Sequence, residues 1–173
     1  MFFHAFLIKY GEIGIKGKNR YLFEDALVAQ IRHALKHVEG TFKVTKDQGR
    51  IYVHTEGEYD YDDAVAAMRR VFGIVGICPM VRAEDKGFEA LAEDVVAFMG
   101  KTHPEGNYTF KVNARRARKD YPMLSMEVNA ALGEKLLKAF PETKVDVHDP
   151  EIVVNVEIRD EIYIYSKIIP GPG

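Results

Sequence analysis

The strongest constraint on the fold of this chain is the way its hydrophobic period changes between Phe2 and Val81. Residues 2–10 are apolar and aromatic, with enough two-residue alternation to predict a strand. Phe23, Leu27, Ile31, Ala34 and Val38 then repeat at helical spacing, with Asn19 placed to cap the helix and Gly40 to end it. Residues 41–45 and 51–55 return to strand patterns on either side of residues 46–50, a hairpin turn in which Gly49 suits a positive φ. Ala64, Val65, Met68, Val71 and Phe72 predict a second helix stopped at Gly73, and residues 74–81 predict a last strand. The order βαββαβ is the split-βαβ, ferredoxin-like plan.

Polarity rises over residues 82–87, so a domain boundary is predicted there: residues 1–81 form a first domain and residues 82–168 a second. In the second, Phe88, Leu91, Val95 and Phe98 predict a helix ending at Gly100. Residues 108–113 predict a strand, and Ser125 followed by Met126, Ala130, Gly133, Leu137 and Phe140 predicts an N-cap opening an amphipathic helix. Residues 144–148, 152–158 and 161–168 read as two or three strands, making this domain α/β. Residues 169–173, Ile-Pro-Gly-Pro-Gly, are rich in breakers and read as the start of a linker to a further domain.

The most informative stretch of charge runs from within the strand at 108–113 toward the helix at Ser125. Lys111, Arg115, Arg116, Arg118 and Lys119 fall within nine residues that contain no acid. Guanidiniums grip phosphates in bidentate fashion, and a helix start offers unpaired N–H groups and a partial positive charge. A cluster of cations by itself reads first as a solvated, charged loop; the lack of local acids turns the reading toward an anion site. A second basic stretch interleaves Gly11, Gly14 and Gly17 with Lys16, Lys18 and Arg20, which allows close approach to a phosphate. It lacks the spacing and the Ser or Thr of a P-loop and reads alternatively as a surface loop.

Other chemistry is excluded more readily. The net charge of −2 hides segregation, since Glu56, Glu58, Asp60, Asp62 and Asp63 cluster away from the basic stretches. One cysteine, Cys78, rules out an internal disulfide framework and fits a reducing compartment. No apolar run reaches the ~20 residues of a membrane helix and no signal-peptide pattern opens the chain, so a cytoplasmic protein is expected. The six histidines are dispersed, and no nucleophile with its base and no metal-ligand set stands out.

Three stretches together, residues 9–20, 110–127 and 145–159, resemble the N-terminal half of the tRNA 4-thiouridine synthetase (ThiI) family. The resemblance covers essentially the whole chain and implies a ferredoxin-like domain followed by a THUMP domain that together hold the acceptor stem and single-stranded 3′ end of tRNA. Lys16, Lys18, Asn19, Arg20, Lys111, Arg115, Arg116, Arg118, Lys119 and Ser125 are the candidate RNA-binding residues. The resemblance further implies that an ATP-pyrophosphatase domain, using ATP and magnesium, activates a uridine, that a cysteine desulfurase supplies persulfide sulfur, that the route is shared with thiamine synthesis, and that the protein forms a homodimer. The 173 residues contain neither the family's Ser-Gly-Gly-Ile-Asp-Ser ATP loop nor a counterpart of its catalytic cysteines, which Cys78 does not match. The chain is therefore expected to be the RNA-binding portion, with no cofactor, metal or catalytic centre of its own. The rival reading is a ferredoxin-like regulatory or dimerisation module that binds a small anion or a protein.

Overall fold

The computed structural model describes residues 2–11, 19–47 and 49–173. They divide into two compact units, one of residues 1–80 with 167–173 and one of residues 81–166. Lys16 and Lys18 lie outside the described residues.

The first unit runs β1 (Ala5–Tyr10), α1 (Arg20–Leu35), β2 (Thr41–Asp47), β3 (Arg50–Glu56), α2 (Tyr61–Met68) and the first part of β4 (Ile74–Ala83). The strands pair antiparallel in the order β2-β3-β1-β4. This realises the βαββαβ plan, with β1 central and its residues Ala5, Phe6, Leu7 and Ile8 all buried. Phe6 and Ile8 pack with Leu27, Ile31, Leu35 and Met68 into one core. Each fully buried side chain of this size contributes about 1.5–3 kcal/mol.

Several boundaries move for reasons that only packing supplies. The first strand begins at Ala5 rather than Phe2. Asn19 occupies the cap of α1 but makes no side-chain capping bond, whereas Asp60 caps α2 by accepting from the Asp63 N–H at 2.9 Å. The second helix ends at Met68, short of the expected Gly73. Tight bonds from Arg70 N–H to Ala67 O and from Val71 N–H to Met68 O, both 3.2 Å, close the turn. Phe72, read as a core residue, is left 79% exposed.

The largest departure is the tail. Residues 167–173 belong to the first unit, and β9 (Ile169–Pro170) pairs antiparallel with β4, Gly76 opposite Pro170 and Ile77 opposite Ile169. Gly171 and Gly173 donate to the carbonyls of Val75 and Ile74 at 3.2 and 2.9 Å. The glycines that read as linker punctuation permit close approach: a Cβ on Gly171 would lie 2.2 Å from the Ile74 oxygen.

The second unit contains the end of β4 (from Val81), α3 (Phe88–Thr102), β5 (Thr109–Arg116), α4 (Ser125–Ala139), β6 (Lys144–Val145), β7 (Ile152–Ile158) and β8 (Ile162–Tyr165). Its sheet order is β4-β8-β7-β5-β6, with β5 parallel to both β6 and β7 and the remaining pairs antiparallel. Phe98 of α3, Leu132 of α4 and Phe110 of β5 are fully or almost fully buried and anchor the core. The strand expected over 144–148 stops after two residues because the Asp146 carboxylate accepts the N–H groups of His148 and Asp149, at 3.0 and 3.1 Å, and turns the chain. The strand expected over 161–168 is confined to Ile162–Tyr165, since the chain from Lys167 onward joins the first unit.

Candidate functional site

The site forms where β5 gives way to α4. Pairing with β7 continues to Arg116 opposite Ile158, and the Ala117 N–H donates to the Ile158 carbonyl at 2.9 Å. This ladder carries the strand three residues beyond the Asn113 end expected from hydrophobic pattern alone and puts Arg115 and Arg116 on the strand end. A rigid strand end holds a guanidinium with less loss of freedom on binding than a loop does. The carboxyl ends of parallel strands are also where open α/β sheets bind ligands.

The five cations are not equivalent. Arg115 and Lys119 are exposed, Lys111 is half-buried, and none of the three forms an ion pair among the described residues. Arg116 is half-buried and donates to the Tyr121 carbonyl at 3.2 Å, which ties the loop to the strand. Arg118 is bound to the Asp85 carboxylate and lies 3.7 Å from Asp120. Asp85 comes from before α3, so the acid that binds Arg118 most closely arrives through space, in addition to Asp120 at the end of the run. The Arg118 guanidinium, helped by the Gly87 N–H, holds the Asp85 carboxyl below its ordinary range, and Asp85 in turn raises the Arg118 pKa. Arg118 is therefore largely neutralised, and an anion would meet Arg115, Arg116, Lys119 and Lys111 first.

At the start of α4, Ser125 is the first helical residue and not the cap. Leu124 caps in extended conformation, and its N–H donates to Glu127 Oε1 at 2.9 Å. The Glu127 carboxylate thus takes up part of the positive potential of that helix end. Asn129, one turn on, accepts from the Ala114 N–H at 2.7 Å and pins α4 to β5 where β6 no longer covers the strand edge. Beside this bond lies a groove of about 590 Å³, lined in part by Lys111, Asn113, Met126, Asn129, Leu137 and Val147. Met126 at 81% and Val147 at 60% are among the most exposed apolar side chains. Sequence reading assigned Met126 and Leu137 to a buried helix face and so missed the groove.

In the first unit, Arg20 opens α1 and its Nε is 3.6 Å from the buried Glu24 carboxylate. The Tyr10 hydroxyl also meets that carboxylate. Burial, reinforced by Glu24, raises the Tyr10 pKa. The cluster fixes the residue at which the glycine-rich basic stretch ends. Arg159, directly after β7, was not singled out either; its Nε lies 3.3 Å from Glu157, whose carboxylate also accepts from Tyr165 at 3.0 Å. Only the parallel register brings the chain at Arg159 beside the basic run. Among the described residues no group of three His, Cys, Asp or Glu side chains could hold a metal ion, and no helix is long and apolar enough to cross a membrane.

Fold and site together define a protein of two α/β units, a ferredoxin-like one and one with a cationic strand-to-helix junction suited to polyanions. The family models for the ThiI ferredoxin-like domain and the THUMP domain match residues 5–78 and 85–167. The chain belongs to the ThiI family, of which it carries these two domains. A relative from Agathobacter rectalis named "Probable tRNA sulfurtransferase" is 60% identical over 171 residues, covering 99% of this chain and 43% of the relative. A 4-thiouridine synthetase solved in complex with RNA and ATP is 31% identical, with a TM-score of 0.79 over 98% of this chain and 42% of that one. A Pyrococcus horikoshii protein of known structure is 32% identical, with a TM-score of 0.81 over 97% of this chain and 55% of that one. The chain thus spans less than half the length of the curated relative.

Proposed function

We propose that this chain is the tRNA-binding part of an ATP-dependent tRNA sulfurtransferase that makes 4-thiouridine. The observation that carries this reading is the pair Arg115 and Arg116 at the carboxyl end of β5, with Lys119 three residues on, following a groove lined by Lys111 and Asn113 of the same strand. The exposed Arg115 guanidinium on a rigid strand end, with Arg116 half-buried beside it, suits the phosphates of an RNA duplex, and an apolar groove nearby suits unstacked bases. The name of the curated relative and the RNA bound to the solved one support it. The acceptor stem and the single-stranded 3′ end are the parts of tRNA that offer duplex and free bases together. In this reading the protein is cytoplasmic and dimeric, ATP and magnesium act in a catalytic domain outside these 173 residues, and a cysteine desulfurase supplies the sulfur, also toward thiamine. The chain itself binds tRNA and holds no cofactor.

The test is a salt titration. Binding of an acceptor-stem minihelix through roughly five phosphates should give a log–log slope of about −3.5 to −4.5. Arg115→Ala with Arg116→Ala should weaken binding and reduce the magnitude of that slope by about 1 per lost contact. A flat salt response, or unchanged affinity in a folded double variant, counts against the RNA reading.

A further inference from the structure

A second concave site lies in the first unit, and its chemistry is opposite. A pocket of about 590 Å³ opens where the segment before β1 meets the start of α2, and it is lined by Phe3, Tyr59 and Tyr61 together with Glu39, Glu58 and Asp62. Phe3 and Tyr61 stack with ring centroids 5.7 Å apart, and the Tyr59 hydroxyl donates to the Phe3 carbonyl at 2.9 Å. The walls are thereby fixed before any ligand arrives. Glu39, Glu58 and Asp62 are exposed and form no ion pair among the described residues, while the neighbouring Asp60 carboxylate is engaged in capping α2. Three uncompensated carboxylates around aromatic faces repel a phosphate backbone, so this pocket has no part in holding RNA.

We infer that the pocket is a docking surface for an arginine-bearing segment of a partner protein. Charge complementarity selects a cation, and the aromatic lining selects among cations. A guanidinium is planar, weakly hydrated and stacks on aromatic rings, with its methylene stem against apolar surface; an ammonium is strongly hydrated and gains less from such walls. The size suits one or two side chains rather than a folded domain. Oppositely charged sites allow the chain to hold a polyanion and a basic protein at once, and this inference stands whether or not the polyanion is tRNA.

The experiment uses the 173-residue chain and a fluorescent peptide with two arginines separated by glycines, with affinity read by anisotropy at low and moderate salt. An otherwise identical peptide with citrulline in place of arginine keeps the shape and removes the charge, and needs no protein variant. The arginine peptide should bind saturably, at least tenfold more tightly than the citrulline peptide. Glu58→Gln with Asp62→Asn should weaken it about tenfold while the protein stays folded and keeps its RNA affinity, the thermal midpoint falling only by the small share of Asp62 in the first turn of α2. Glu93→Gln with Glu134→Gln, in the other unit, should leave it unchanged. Equal binding of the two peptides, no loss in the Glu58/Asp62 variant, an equal loss in the control variant, or spermidine competing as well as the arginine peptide would each overturn the proposal.

Discussion

Arg118 shows how far the role of one side chain depends on a residue distant in sequence. It sits among Arg115, Arg116 and Lys119 in the chain, yet the Asp85 carboxylate claims it, while Arg115 and Lys119 stay exposed and Arg116 is half-buried against the Tyr121 carbonyl. The same pair has a pH consequence. Because hydrogen bonds from Arg118 and the Gly87 N–H favour the ionised form, the folded pKa of Asp85 lies below the ordinary value of 3.8. A carboxyl depressed in this way adds stability that is fully present above its unfolded pKa and is lost as pH falls through its folded pKa. Asp85→Asn should therefore be less stable than the parent protein at neutral pH and lose less on acidification, so that the two converge below roughly pH 4. Thermal midpoints measured against pH decide the point; parallel curves would mean that the pair contributes nothing.

At the scale of elements, strand ends are governed by what lies beside them. The ladder with β7 extends β5 through a basic stretch that hydrophobic pattern assigns to a loop, and the Asp146 turn truncates β6 inside a run that pattern assigns to a strand. β9 is the extreme case, formed by two residues within a Pro- and Gly-rich tail because an uncovered stretch of β4 offers N–H and C=O partners. Gly171→Ala should expel this tail, since the added Cβ would meet the Ile74 backbone at 2.2 Å, well inside contact distance. The bonds from Gly171 to Val75, Gly173 to Ile74 and Gly73 to Gly173 would go with it. At about 0.5–1.5 kcal/mol net per bond, the first unit should lose roughly 1.5–4.5 kcal/mol in urea denaturation. The Gly73 amide should also exchange faster, and an amide equally protected in the variant would show that the tail is not held by this approach.

For the whole molecule, the tRNA-binding function proposed above asks two units of the chain to contact one RNA. The first would act through Lys16 and Lys18, and the second through Arg115, Arg116 and Lys119. Each contact made through one unit renders the other effectively intramolecular, so removing either set should cost more affinity than its share of phosphates suggests. Lys16→Ala with Lys18→Ala is the suitable variant, because Arg20 is partly committed to the buried Glu24 and its loss would also strain the fold. The expected result is weaker minihelix binding and a smaller salt slope with an unchanged thermal midpoint; full affinity would confine RNA binding to the second unit. The sequence by itself determined the order of elements, because strands and helices are dictated by apolar spacing over two to four residues, and that spacing is regular in α1, β3, α3 and α4. It also located the basic run, since charge is a property of residues and not of their neighbours. Only the tertiary structure decided that Arg118 is neutralised, that Phe72 and Met126 face water, that a breaker-rich tail becomes a strand, and that aromatic and acidic side chains from three separate stretches enclose a pocket. Each of those outcomes depends on groups brought within a few ångströms by the fold, and local period carries no information about them.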